Sequence, residues 1–520
     1  MTTLDVLRTA VPAVLRSGLV KPIGPQAIWQ ITRATRRGAN PAILLAIGAA
    51  RWPQRAALID DAGPITYREL HATTHDLAGT LHNEHGVRPG VQVGVMCRNG
   101  RGFAQSVFAV AALGADVVLL NTDFNPVALD AALTSHRIGI VLCDSEFREI
   151  LAAANPRVEI VDPAATTGTP RQPLPVAPPG RIVMLTSGTT GTPKGVPRTP
   201  GPTQVLGVAA TVLARTRLRT ASRIVICIPF FHGFGLAIVM LALALGATVI
   251  TRRRFDAETA LAQASLHRAH ALTAVPIMLG RLLDLSESVR TRNPVPDLRV
   301  VVSGGAPLDP ALAQRFMDGY GDVLYNGYGS SEVGIGTLAT PADLRRAPTT
   351  VGRPIAGVSL RILDDQDQPV AAGTVGRIFV GGRMAFDGYT SGTRKPVVTG
   401  LTGTGDMGYL DDRGFLFIVG REDDMIVSGG ENVYPQPVEN ALAAHPDIAD
   451  NAVIGVEDAA YGQRLAAFVV LHDGARFDET ELRNYLKHNV SRFEQPRDIQ
   501  IVDEIPRNPS GKILRRELTR

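Results

Sequence analysis

The sequence predicts an α/β protein with a large N-terminal domain of mixed, mainly parallel sheets and helices, followed by a small α+β C-terminal domain. Three observations lead there. From Ala56 onward, short apolar runs bounded by turn residues alternate with segments of helical period, the pattern of strands joined by helical crossovers. A chain of 520 residues is too long for one hydrophobic core, so at least two domains are needed. Beyond Gly420 the alternation gives way to a self-contained set of two helices and three strands, a size and pattern that fit a separate α+β unit. The boundaries read as a basic extension over 1–50, a large domain over 51–420 and a small domain over 421–520.

The extension is set apart by charge. Residues 1–51 hold seven basic side chains (Arg8, Arg16, Lys21, Arg33, Arg36, Arg37 and Arg51) against Asp5 alone, a net of +6, so the rest of a +4 chain carries −2. Leu4, Leu7, Val11 and Val14 recur at helical spacing. The segment reads as a helix packed on its own domain, with a peripheral contact to an anionic membrane surface as the alternative. A basic excess confined to this piece gives no support for nucleic-acid binding. Asp5 interrupts what would be the basic start of a signal peptide. Cys97, Cys143 and Cys227 are far apart and lack metal-ligand spacing. Both features lead to the expectation of a reducing cytoplasm.

In chain order, Ala56–Leu70 reads as a hairpin with its turn at 62–64, followed by a helix. Strand Val91–Met96, helix Ala104–Leu113 and strand Val117–Leu120 follow, and six prolines between 163 and 180 mark a semi-rigid connector. The run Arg181–Leu185 is a buried strand opening into Thr186–Gly195, TSGTTGTPKG. Strand Ile224–Ile228, a buried helix from Leu236, strand Thr248–Ile250, helix Ala257–His267, strand Leu272–Val275 and strand Leu298–Val302 continue the alternation. The apolar run through Leu236–Ile250 is too short to span a membrane. In the last hundred residues the expected elements are helix Pro437–Ala444, strands Ala452–Val456 and Leu465–Leu471, helix Glu479–His488 and strand Asp498–Val502.

The chemistry sits in the turns. In TSGTTGTPKG, Gly188, Gly191 and Gly195 allow the backbone to approach a ligand closely, while Thr186, Ser187, Thr189, Thr190, Thr192 and Lys194 supply hydroxyls and a cation; such a loop suits an anion. The usual nucleotide P-loop pattern fails, because Pro193 precedes Lys194 and Gly195 follows it. Only five of 53 basic residues are lysines (21, 194, 395, 487 and 512), which singles out Lys194 and Lys512 as positions suited to a compact point charge. Further turns carry PFFHGFG around His232, GGAPL at Gly304, Gly305 and Ala306, NGYGSSE over Asn326–Glu332, the tripeptide Thr404, Gly405 and Asp406, GREDDMIVSGG over Gly420–Gly430, and PRNPSGKILRREL over Pro506–Leu518.

Taken together and in this order, these motifs resemble the adenylate-forming superfamily of acyl-CoA synthetases, peptide-synthetase adenylation domains and luciferases, over roughly residues 50–520. The resemblance implies a mobile C-terminal domain and a set of roles. TSGTTGTPKG would be the phosphate loop, with Lys194 on the β- and γ-phosphates of ATP. His232 would border the carboxylate end of the acyl pocket, and Gly304, Gly305 and Ala306 would line the adenine and acyl sites. Tyr328 and Gly329 would lie along adenine, Ser331 at the α-phosphate, and Glu332 would hold Mg²⁺. These side-chain types suit those tasks: a flat ring stacks, a hydroxyl bonds a phosphate oxygen, and a carboxylate binds a hard cation. Asp406 would accept from the ribose hydroxyls, Arg421 would contact the nucleotide, Asp423 would be the pivot, and Lys512 the catalytic lysine. Gly429, Gly430 and Glu431 would meet the pantetheine arm of coenzyme A. Ser331 stands where Thr is usual, Leu401 where Trp is common and Gln463 where Glu is common.

The implied activity is ATP-dependent activation of a carboxylic acid to an acyl-adenylate, followed by transfer to CoA. General likeness of the extension and of Arg98–Thr122 to bacterial fatty-acyl-CoA synthetases adds the expectation of a medium- or long-chain fatty acid. The alternatives are an acyl-AMP ligase serving a carrier protein, disfavoured because no insertion follows the phosphate loop, and a non-catalytic nucleotide-binding scaffold, disfavoured by the presence of Lys512 and Glu332.

Overall fold

The computed structural model describes residues 11–19, 24–25, 28–29, 31–32, 40–164, 174–186, 194–198, 202–216, 218–382, 388–422, 426–428, 431–458, 462–490, 494–508 and 511–518. Of the expected phosphate loop, residues 187–193 lie outside these, as do Asp423, Gly429 and Gly430; the side chains of Thr186 and Glu431 lie outside as well.

Three sheets carry the fold. A six-stranded sheet runs Glu159–Val161, Ile140–Cys143, Gln92–Met96, Asp116–Leu119, Ile182–Thr186 and Lys194–Arg198, parallel except for its last strand. A fourteen-stranded sheet has at its centre four parallel neighbours, Leu324–Ser330, Val300–Gly304, Ala271–Thr273 and Arg223–Ile226. Antiparallel strands extend its far side out to Val358–Leu363. A five-stranded sheet belongs to the smaller C-terminal domain.

Local signals explain where elements start. Thr66 and Glu69 close a reciprocal capping box on helix Tyr67–Asn83. Asn125, Asp309 and Thr340 each cap a helix whose first residue is a proline, where a missing N–H costs nothing. The hairpin Ala56–Asp60 with Gly63–Thr66 forms as expected. So does the helix-to-strand reading of the long apolar run, as Gly233–Ala244 and Thr248–Ile250. No helix among the described residues is long and apolar enough to cross a membrane. The three cysteines are free and buried.

Polar contacts, buried at Asn99 and more open at Arg253, join the two large sheets. The Asn99 side chain, beyond strand Gln92–Met96, donates to Ile228 O at 2.9 Å and accepts from Phe230 N at 2.8 Å. It thereby fixes the turn that carries His232. Leaving that pair unsatisfied in the interior would cost about 1–3 kcal/mol per group. Arg253, just past strand Thr248–Ile250 of the larger sheet, reaches Asp144 at 3.0 Å and Glu146 at 2.6 Å, just past strand Ile140–Cys143 of the smaller. Gly233 completes the contact: a Cβ there would lie 2.8 Å from Met184 Sδ.

In the small domain, alternate residues of strands Ile448–Asp458 and Gly462–Leu471 face two separate cores. Val453, Leu465, Ala467 and Val469 meet helices Pro435–Ala443 and Glu479–Asn489 through Val438, Leu442, Leu482 and Leu486. Ala452, Ile454, Ala466 and Phe468 meet Ile505 and Leu518, which flank the lysine-bearing closing segment. The period of two therefore decides which face that segment covers. Arg507 to Asp450 at 2.7 Å and Arg515 to Glu439 at 2.8 Å pin it there.

Candidate active site

Four neighbouring parallel strands end side by side, and each ends in a motif. Arg223–Ile226 leads to His232, Ala271–Thr273 to Val275, and Val300–Gly304 into Gly305, while Leu324–Ser330 itself contains Tyr328 and Gly329. Strand Ile182–Thr186 of the other sheet enters the phosphate-loop segment beside them. Ligands of α/β sheets bind at such carboxyl edges.

The glycines are dictated by space. A Cβ on Gly304 would lie 2.7 Å from Gly327 O, and Gly305 has φ +81°, a conformation that costs glycine nothing. Val275 lies about one contact distance, 4.0 Å, from a Cβ placed on Gly305.

Asp406 organises one end of the site. The Tyr328 hydroxyl donates to Asp406 Oδ2 at 2.6 Å, and Arg421 Nη1 lies 3.2 Å from Oδ1. Burial first, then the adjacent carboxylate, push the Tyr328 phenol well above its ordinary range, so it remains a donor. Thr404 Oγ1 accepts from Asp406 N at 3.0 Å and donates to Ile378 O at 3.0 Å, fixing the carboxylate's backbone. The tripeptide Thr404–Asp406 lies inside strand Leu401–Leu410; the reversal that follows comes only at residues 411–414, where Asp411 accepts from Phe415 N.

Glu332 and Lys194 form the other end. Tyr389 donates from its hydroxyl to Glu332 Oε1 at 2.6 Å, and Lys194 Nζ stands 5.8 Å from the centre of the same ring. Ser330 Oγ accepts from Glu332 N at 3.2 Å. Arg198, which shares a strand face with Lys194, donates through Nε and Nη2 to Ser331 O at 3.1 and 2.6 Å. Burial pulls the Arg198 guanidinium down to about 10, an effect that nearby Glu332 opposes. Next to it, Thr390 N donates to Gly195 O at 2.9 Å, and Thr390 Oγ1 accepts from Gly195 N at 3.2 Å. His136 Nδ1 donates to Ala132 O at 3.1 Å, leaving Nε2 to accept from Thr390 Oγ1 at 3.0 Å. A Cβ on Gly195 would lie 2.5 Å from that nitrogen.

Among the described residues no group of three His, Cys, Asp or Glu could hold a metal. Glu332, whose Oε1 accepts from Tyr389 and whose Oε2 has no hydrogen bond to another described residue, fits a cation that keeps waters and takes its other ligands from phosphate.

His232 precedes helix Gly233–Ala244, with its ring 4.4 Å from that of Phe231. Its Nε2 is buried with no hydrogen-bond partner among the described residues, and burial lowers its pKa to about 4. The ring is neutral at physiological pH.

Lys512 lies in a tight loop of the small domain: its N–H donates to Asn508 Oδ1 at 2.9 Å, and Gly511, at φ +78°, donates to Asn508 O. That loop rests on the large domain. A Cβ on Gly511 would meet Ile277 Cγ2 at 3.1 Å and Val275 Cγ2 at 3.3 Å. The structure thus brings Lys512 to the same carboxyl edge as Gly305. Sequence reasoning missed Arg198, Tyr389, Thr390 and His136; the basic residue four positions after Lys194, on the same strand face, was the one local hint.

Residues 45–390 match the family model described as AMP-binding enzyme, and residues 437–512 match that of the AMP-binding enzyme C-terminal domain. The chain is 32% identical to a feruloyl-CoA synthase of an Amycolatopsis species over 91% of this chain and 99% of that protein. It is 30% identical to a sulfoacetate–CoA ligase of Cupriavidus necator over 92% and 97%. Among solved structures, O-succinylbenzoate coenzyme A synthetase from Bacillus subtilis, in complex with ATP and magnesium ion, is similar at a TM-score of 0.81 and 29% identity, covering 92% of this chain and 99% of that one.

The buried, neutral state of His232 sets a pH dependence of stability. Its folded pKa is depressed below the ordinary 6.5, so the unfolded chain takes up the proton first, and stability is lost as pH falls from about 6.5 towards about 4. In thermal melts, His232→Asn should show a smaller decline across that window than the parent protein.

Proposed function

The chain belongs to the AMP-binding enzyme family, and from that premise we infer that it joins a carboxylic acid to coenzyme A in an ATP-dependent, AMP-forming reaction. The observation that carries this reading is the convergence of Lys194, Glu332, Tyr328, Asp406 and the Lys512 loop on one sheet edge. Relatives that are CoA ligases along nearly their whole length favour CoA over a carrier protein as acceptor, and over a scaffold without catalysis.

In the first half-reaction an oxygen of the acid attacks the α-phosphorus of ATP. The bond to the bridging oxygen breaks, and pyrophosphate leaves. Lys194 and the residue 186–195 loop hold the β- and γ-phosphates, Asp406 and Arg421 fix the ribose side, and Tyr328 lies along adenine. Ser331 faces the α-phosphate. Glu332 would hold Mg²⁺, which when bound would offset negative charge on the phosphates. Lys512, carried in by the small domain, offsets the charge that develops at the reacting centre. Catalysis of this kind is positioning plus preorganised charge, with no covalent enzyme intermediate. In the second half-reaction the small domain, dividing from 51–420 near residue 421, turns about Asp423. It removes Lys512 and brings Gly429, Gly430 and Glu431 to the pantetheine arm. The CoA sulfur then attacks the acyl carbon, and AMP leaves.

For the acid, we favour an apolar tail, with a medium- or long-chain fatty acid as the first case. Met184 lies by Gly233, Phe234 by Gly304, Val275 by Gly305 and Gly511, and Ile277 by Gly511, while His232 itself is neutral. These neighbours, named among the described residues, are all apolar. The relatives act, by name, on feruloyl, sulfoacetate and succinylbenzoate substrates, so an aryl acid is the second case.

For residues 1–51 we propose, as the alternative to a helix packed on its own domain, a peripheral membrane contact, favoured by exposed apolar side chains. Ala13 and Ser17 are buried, yet Val11, Leu15, Ile28 and Trp29 are 53%, 60%, 49% and 61% exposed in the segment of net charge +6.

Pyrophosphate release over straight-chain acids of graded length, aryl acids and dicarboxylic acids, with and without CoA, tests the substrate reading: release should be strongest with uncharged apolar tails, and a preference for dicarboxylates would overturn it. Lys512→Ala should lower adenylate formation by roughly 10²-fold while affecting CoA attack on supplied acyl-AMP much less; equal losses in both halves would defeat the domain-alternation account. Sedimentation with phosphatidylglycerol vesicles should be salt-sensitive and should vanish on removing residues 1–51; binding unchanged by that deletion would dismiss the surface contact.

A further inference from the structure

We propose that Tyr389 is a positioning residue of the triphosphate site, one that couples the cation-binding carboxylate of Glu332 to the phosphate cation of Lys194. This inference rests on the reading of Glu332 as the Mg²⁺ ligand.

Tyr389 contributes two different surfaces. Its hydroxyl donates to Glu332 Oε1 at 2.6 Å, a short, charge-assisted bond, while its ring faces Lys194 Nζ at 5.8 Å. With Oε1 held, the carboxylate cannot rotate freely, and Oε2 is the oxygen presented to a cation. Such outer partners orient a ligating carboxylate and tune its affinity.

The residue's own placement is fixed by its neighbour. Thr390 forms two hydrogen bonds with Gly195, the residue after Lys194, and a third with His136. Gly388, at φ +135°, turns the chain into this bracket. The same dipeptide therefore grips the phosphate-loop strand through Thr390 and the metal carboxylate through Tyr389, which lie 195 and 57 residues away in sequence. A displacement of the phosphate-loop strand moves Tyr389, and Tyr389 moves Glu332. Arg198, on the strand that carries Lys194, holds the carbonyl of Ser331, the residue before Glu332. Glu332 is thus set through Tyr389 and through Ser331.

The two surfaces of Tyr389 can be separated. Titration calorimetry of ATP binding, once with EDTA and once with Mg²⁺, gives the gain in affinity due to the metal. Tyr389→Phe keeps the ring and removes the hydroxyl; it should reduce that gain about tenfold and leave binding in EDTA unchanged. Tyr389→Leu removes both surfaces and should also weaken binding in EDTA. Glu332→Gln serves as the control for the underlying reading and should abolish the metal-dependent gain. If Glu332→Gln abolishes the gain but Tyr389→Phe leaves it at the parent value, the role assigned to Tyr389 is wrong. If Glu332→Gln itself retains the gain, Glu332 is not the metal ligand, and both readings fall.

Discussion

Parallel pairing of Arg223–Ile226, Ala271–Thr273, Val300–Gly304 and Leu324–Ser330 is the constraint on which the rest depends. Parallel neighbours all point one way, so the turns after them collect along one edge although a hundred residues of chain separate the first from the last. Each turn can then vary in chemistry without disturbing the strands, which are buried apolar runs: Val300, Val301 and Val302 in one, Ala271 and Leu272 in its neighbour. The backbone at that edge must be small where strands and ligand crowd together. Gly304 meets Gly327 O, and Gly329 meets Gly334 O, leaving no room for a side chain.

Three charged groups of the site are each held by a partner among the described residues. Asp406 is shared between a phenol and a guanidinium, Glu332 is held by a phenol, and Arg198 spends its donors on a carbonyl. Each carboxylate oxygen can accept more than one hydrogen bond, so these protein partners orient the groups without exhausting them. Arg198 illustrates the cost: burial alone depresses its pKa, and proximity to Glu332 restores part of what burial removes.

Much of this was legible in the sequence, because strands, helices and glycine turns are local patterns. The expected strand Leu298–Val302 is observed as Val300–Gly304, and helix Glu479–His488 as Glu479–Asn489. The assignment of Tyr328 and Asp406 to one site came from motif order, and the 2.6 Å bond between them places them together. What stayed hidden are the pairings that depend on tertiary closure. Nothing local in Gly388–Thr390 announces a partner 195 residues back, and His136 joins it from 254 residues away. The antiparallel strand Lys194–Arg198 was hidden for a related reason: Pro197 and Gly195 weaken its strand character, and it forms because Ile182–Thr186 offers an open edge. The acid's identity was the least legible feature, since the apolar neighbours of this edge, among them Met184, Phe234, Val275 and Ile277, come from separate parts of the chain.

Val275 lies next to two glycines where the domains meet: a Cβ on Gly305 would be 4.0 Å from it, and a Cβ on Gly511, in the small domain's loop, 3.3 Å. One isopropyl group is therefore common ground for a ligand lying over Gly305 and for the loop that carries Lys512. Two binding events that share a surface are thermodynamically linked, and the linkage is reciprocal: whatever factor the ligand contributes to docking of the loop, the docked loop returns to the affinity for the ligand. Any ligand lying over Gly305 and the loop that carries Lys512 would therefore meet at one side chain, Val275.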